Sequence, residues 1–148
     1  MKKELQDKLF EKYPRIFGQK ELPPDQTCMC WGIETGDGWF NLLDALCLNI
    51  QHHLDQHNGE GEFERNKKFH EEDHGPVHQV EAVQVKEKFG GLRFYWDGGD
   101  HFIEGLVSMA ESMSVLTCEN CGNPGTQGGV GWIWTACDVC RGAQEERR

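Results

Sequence analysis

Four cysteines set the tightest limit on how this chain can fold. They read Cys118-x2-Cys121, then fifteen residues, then Cys137-x2-Cys140. A CxxC turn places two sulfurs on one side of a tight knuckle. Two such knuckles close a tetrahedron, the geometry Zn2+ takes with thiolates. The spacer holds Gly122, Gly125, Gly128, Gly129 and Gly131, followed by Trp132-Ile133-Trp134. That composition suits a short hairpin bridging the knuckles, as in a zinc ribbon. Four sulfurs leave no ligand position for water, so such a site is structural and holds one zinc per chain. A pair of redox CxxC motifs is the competing reading, and this spacing fits it less specifically.

The other cysteines are Cys28, Cys30 and Cys47, which brings the total to seven. An odd count without an apolar leader after Met1 argues against a secreted disulfide framework. No apolar run is long enough to span a bilayer. The expected setting is a reducing cytoplasm. Cys47 lies on the apolar face of a predicted helix and reads as core. Cys28 and Cys30 read as packing near Trp31. A second metal site with His52 or His53 is the alternative.

The predicted fold is α+β, with helices packed on a small antiparallel sheet and a C-terminal zinc ribbon. A core of residues 1–115 would be followed by the ribbon over 116–141 and a polar, frayed tail over 142–148. A first helix is predicted through Tyr13, with Leu5, Leu9, Phe10 and Tyr13 on one face and Pro14 as its stop. Asp37 is the predicted cap of a longer helix. Its stripe comprises Trp39, Phe40, Leu42, Leu43, Leu46, Cys47, Ile50 and Leu54, and Asn58-Gly59 ends it. Residues 59–76 read as a charged excursion. A hairpin follows, Val80–Phe89 and Leu92–Trp96, with Gly90-Gly91 as its two-residue turn. Asp100 caps a last core helix through about Val115. There Phe102, Ile103, Leu106, Val107, Ala110 and Met113 are expected to face inward.

His70-Glu71-Glu72-Asp73-His74 spells HExxH, the pattern that holds a catalytic zinc on a helix. Its context argues against a metallopeptidase. Both intervening positions are acidic, only Phe69 is apolar before it, and Gly75-Pro76 would end the helix at the second histidine. The expectation is a protein without enzymatic activity.

The net charge of −10 disfavours duplex nucleic acid, whose phosphates repel an acidic surface. The ribbon adds little, because residues 116–141 carry one base, Arg141, against the two acids Glu119 and Asp138. A protein partner with a basic surface is the more natural expectation. One local basic strip is predicted on the hairpin. With the turn at Gly90-Gly91, Lys88 opposes Arg93 and Lys86 opposes Tyr95, all on one face. Val85, Phe89, Leu92, Phe94 and Trp96 share the other, with Glu87 the misfit. The strip is either a phosphate, nucleotide or acidic-ligand site, or the wet side of a sheet.

Gly36-Asp37-Gly38-Trp39-Phe40, the run Val85-Lys86-Glu87-Lys88-Phe89-Gly90-Gly91-Leu92-Arg93-Phe94-Tyr95, and Met109–Ser114 leading into Cys118-Glu119-x-Cys121-Gly122 resemble a family of small phage and prophage proteins. The resemblance covers roughly residues 10–141. It implies an accessory phage product acting in a bacterial cytoplasm by binding host factors, defence systems included. It implies no catalytic residues. The leading expectation is a phage protein that binds and modulates a host protein. A nucleic-acid-binding zinc-ribbon regulator is the second. Oligomeric state is not legible.

Overall fold

The computed structural model describes residues 1–58 and 76–145. The predicted excursion over 59–76 and the HExxH segment lie outside the described residues, except for Pro76. Helix α1 spans Lys3–Lys12 and buries Leu9, with Tyr13 closing its last turn. Short 3-10 turns follow at Gly18–Glu21, Met29–Trp31 and Asp37–Trp39. Helix α2 runs Phe40–Asn58 and β1 is the two-residue strand Ile33–Glu34. Strands β2 (Glu81–Lys88) and β3 (Gly91–Asp97) form the hairpin. Helix α3 is His101–Ser114. The C-terminal module holds β4 (Thr126–Gly128), β5 (Trp134–Ala136) and α4 (Asp138–Glu145). Helix α4 thus occupies the start of the stretch expected to fray.

The core forms where the α2 stripe meets the inner face of the hairpin. Trp39, Leu43, Leu46, Cys47, Ile50 and Leu54 are buried, as expected, with Phe40 and Leu42 at the margin. Val80, Ala82, Val85, Leu92 and Phe94 oppose them. Each fully buried Leu or Ile contributes roughly 1.5–3 kcal/mol by leaving water. Burial also pushes the Cys47 thiol far up, consistent with an inert core residue.

Asp37 does not cap α2. The chain enters the helix through a 3-10 turn, and the Asp37 carboxylate turns away to accept from the Lys2 N–H at 2.7 Å. Lys2 Nζ pairs with it as well, which ties α1 to the start of α2. At the other end, Asn58 exchanges two side-chain hydrogen bonds with Val77. They fix the points where the chain leaves and rejoins the core.

The sheet is mixed, in the order β1-β2-β3. Strand β1 joins parallel to β2 with Ile33 beside Val85, while β2 and β3 are antiparallel. Helix α3 lies along β3 and closes its outer edge. Leu92 N–H donates to Ser114 Oγ and Phe94 N–H to Glu111 Oε1. Asp100 caps α3 as predicted, with Ile103 N–H donating to Oδ1 at 3.1 Å. Ile103, Val107 and Ala110 are buried, but Phe102 and Met113 are exposed rather than inward. They join Met109, and Leu116 just past the helix, on an outer face that His53 of α2 touches only at Phe102, where the two rings stack.

Candidate metal centre

The cysteine centre is built from two knuckles of different local structure. In the first, Cys118 N–H donates to Asn123 O, and Gly122 N–H returns to Cys118 O. Gly122 takes φ 79°, a value that glycine adopts without strain. In the second, Cys137 precedes α4, and Cys140 N–H points at the Cys137 sulfur at 3.5 Å. The antiparallel pair β4–β5 spans the knuckles, with Thr126 opposite Ala136 and Gly128 opposite Trp134.

The four sulfurs lie within 4.8 Å of one another, and Cys121 and Cys137 are 3.7 Å apart. A tetrahedron with metal–sulfur bonds of about 2.3 Å requires sulfur separations of about 3.8 Å. The donor set therefore fits one tetrahedral ion. Burial opposes ionisation of Cys118, yet the N–H groups of Cys137, Cys121 and Asn120 outweigh it and bring that thiol down to about 7. Burial pushes Cys140 up to about 12, and the neighbouring sulfurs of Cys137, Cys121 and Cys118 add to it. Four thiolates this close repel one another unless a cation sits among them.

The module docks on the core through two contacts. The first is Gly36–Trp39. Trp39 Nε1 donates to Thr117 O at 2.8 Å, Gly38 N–H to Glu119 O at 2.7 Å, and Gly36 N–H to Glu119 Oε1 at 2.8 Å. A side chain at Gly38 would sit 2.2 Å from Cys118 O, so only glycine admits the knuckle. Burial raises the Glu119 carboxyl above its ordinary range against the pull of Gly36 N–H. The second contact is the tip of the hairpin. Gln127 Nε2 donates to Phe89 O and Thr135 Oγ1 to Gly90 O.

That second contact corrects the predicted turn. Phe89 and Gly90 form it, with φ of 53° and 78°, and Lys88 pairs with Gly91. Glu87, the expected misfit, accepts the Gly90 N–H. Bonds from Glu87 and from the ribbon decide between two adjacent glycine turns that local sequence cannot separate. The register moves by two residues, so each side chain keeps its face. Lys86 now opposes Arg93 in place of Tyr95, and Tyr95 opposes Gln84. Phe89 leaves the apolar face for the exposed apex. Lys86 and Arg93 are half-buried, and Lys88 and Tyr95 are exposed.

Of the two tryptophans, Trp134 is half-buried beneath Arg141, whose guanidinium lies 5.3 Å from its ring centre, and Trp132 is 65% exposed. Cys28 and Cys30 do not assemble with His52 or His53. The described residues bring three or more His, Cys, Asp or Glu ligands together only at the four cysteines. His53 instead bonds Asp100 at 2.8 Å and stacks on Phe102. No helix among the described residues is long and apolar enough to cross a membrane.

These features define a class: an α+β protein whose C-terminal four-cysteine centre, placed to hold a metal ion, is stapled to its core. Comparison with family models, curated proteins and solved structures finds no match to this chain.

Proposed function

We propose that this chain is a phage accessory protein without enzymatic activity that binds and modulates a host protein. The cysteine centre would hold zinc in a purely structural role. The observation that carries the reading is the outer face of α3. Phe102, Met109, Met113 and Leu116 stand 44–64% exposed at helical spacing. Between them lie Gly105, Ser108 and Ser112, with open space above Gly105. A contiguous apolar face with a polar rim marks a protein contact. The occupant this face suits is a host protein surface with an apolar centre and a basic rim, because the chain around it carries a net charge of −10. A defence factor is the class that the resemblance to phage proteins suggests. The closed four-sulfur set supports a structural metal over a catalytic one.

The test is capture from bacterial lysate by wild type and by a Met109→Glu, Met113→Glu double variant. A partner captured by wild type, weakened by salt and lost in the variant at unchanged metal content would support the reading. Equal capture by both would remove the α3 face. A defined dimer closed through α3 in light scattering would give the face to a second copy instead. Elemental analysis of gel-filtered protein should return one zinc per chain. A second equivalent would bring the His70/His74 segment back into play, and loss of any proteolysis in Glu71→Gln would then identify an enzyme.

A further inference from the structure

We infer that the outer face of the β2–β3 hairpin binds single-stranded nucleic acid. This site is separate from the α3 face and stands whether or not a host protein docks there.

The face sets cations beside the Tyr95 ring and leads to Phe89 at the exposed apex. Lys86 and Arg93 are directly opposed across the strands, and Lys88 follows two residues on. Like charges in that position repel and weaken a hairpin unless an anion lies between them. Among the described residues no acid, Asp97 two positions beyond Tyr95 included, pairs with Lys86, Lys88 or Arg93, and Arg93 Nη1 donates to Leu92 O. Glu34 lies beside Lys86 across β1 and makes no ion pair with it among the described residues. Glu87 points to the other face and caps the turn. By contrast Lys2, Lys3, Lys12, Arg15 and Lys20 all hold an acidic partner. The strip is locally cationic, bordered by Glu34 at the β1 edge and by Asp97 beyond Tyr95, on a chain of net charge −10. At physiological salt, charges more than about 8 Å away are largely screened from it.

The aromatic rings choose the ligand class. Tyr95 is 44% exposed with Lys86 Nζ 5.9 Å from its ring centre. Phe89 is 65% exposed with Lys88 Nζ 5.5 Å from its ring. Tyr95 is level with Gln84, four strand positions before Lys88, and Phe89 follows at the turn. Phe89 holds a positive φ that costs an L residue energy, and the ribbon clamps the carbonyls of the two apex residues, Phe89 and Gly90. An acidic peptide would use the cations and leave both rings idle. Bases stack on such rings while phosphates meet the cations beside them, the arrangement of single-strand platforms. A duplex keeps its bases stacked inside and cannot use the rings.

The experiment is fluorescence anisotropy of a labelled twelve-nucleotide oligo(dT) titrated with the metal-loaded full chain. Wild type should bind, and raising salt from 50 to 200 mM should weaken binding roughly 20-fold, as expected for three phosphate contacts on a single strand. Tyr95→Ala should weaken it roughly tenfold or more, and Tyr95→Phe should restore it. A Lys86→Gln, Arg93→Gln double variant should flatten the salt dependence to that of one contact. All substitutions lie on the solvent side of the hairpin, and unchanged metal content with an unchanged near-ultraviolet spectrum would verify the fold. Absence of binding at 50 mM salt would overturn the inference. So would affinity unchanged by Tyr95→Ala, equal binding of a twelve-base-pair duplex, or equal binding of a poly-glutamate peptide.

Discussion

Phe89 shows what a single residue can cost and contribute. At φ 53° it occupies a conformation that disfavours side chains by about 1–2 kcal/mol, next to a glycine that would occupy it freely. Phe89→Gly should leave thermal stability unchanged or raise it by up to about 1 kcal/mol, since relief of strain is partly offset by a looser unfolded chain. The same variant should weaken oligonucleotide binding. A clear fall in melting temperature would instead show the ring to be packing against the fold. This position was not legible in the sequence. Gly90-Gly91 offers the better local turn, and only Glu87 and the distant Gln127 and Thr135 select Phe89-Gly90. The faces were legible, because a two-residue slip conserves alternation.

Helix α3 joins three roles in fourteen residues. Its N-cap holds the helix start and His53, and its outer face is the candidate contact surface. Asp100→Ala should cost about 1 kcal/mol, rising toward 2 as His53 loses its partner, readable by chemical denaturation. Burial disfavours the Asp100 carboxylate, but His53 and the Ile103 N–H overcome it and hold its pKa below the ordinary value of 3.8. The sign follows. The folded state binds the proton less readily than the unfolded state, so the contribution is complete above the ordinary carboxylate value. It fades as pH falls through the depressed one. Acid titration of stability should therefore be shallower below about pH 4 in Asp100→Asn than in wild type. The helix and its cap could be read from Asp100 and the spacing of Ile103, Val107 and Ala110. The fate of Phe102 and Met113 could not, because hydrophobicity reads the same whether a residue meets this chain's core or another molecule.

At the scale of the molecule, the cysteine module is a clamp across segments far apart in sequence. The clustering of the four cysteines was legible because the CxxC spacing that metal geometry favours is local. Their socket was not, since Trp39 and Thr117 meet across 78 residues. Gly38→Ala should cost about 3 kcal/mol, because the added methyl group meets backbone on three sides and cannot be relieved by a rotamer change. Cys118→Ser should release the metal and remove on the order of 10 kcal/mol of folding energy. Chelation of wild type should do the same. Both losses should be followed by hydrogen exchange at the Phe89-Gly90 tip and around Trp39, not at the cysteines alone. A variant that folds normally without metal would contradict the clamp.

The docking of Trp39 on the first knuckle also sets a schedule. Protein synthesis delivers α1, α2 and the hairpin before any of the four ligands. From Trp39 to Cys140 the ribosome needs roughly 5–20 s at ordinary rates. Until then the indole N–H has no Thr117 carbonyl to meet, and the hairpin tip has no Gln127 or Thr135 to hold it. The nascent core must wait for its final contacts on residues that a metal ion, bound as proposed, would draw together. Cells short of the metal would therefore accumulate a chain that is finished in length but open at two places, and proteases would remove it. The amount of working protein would then follow metal supply without any dedicated sensor.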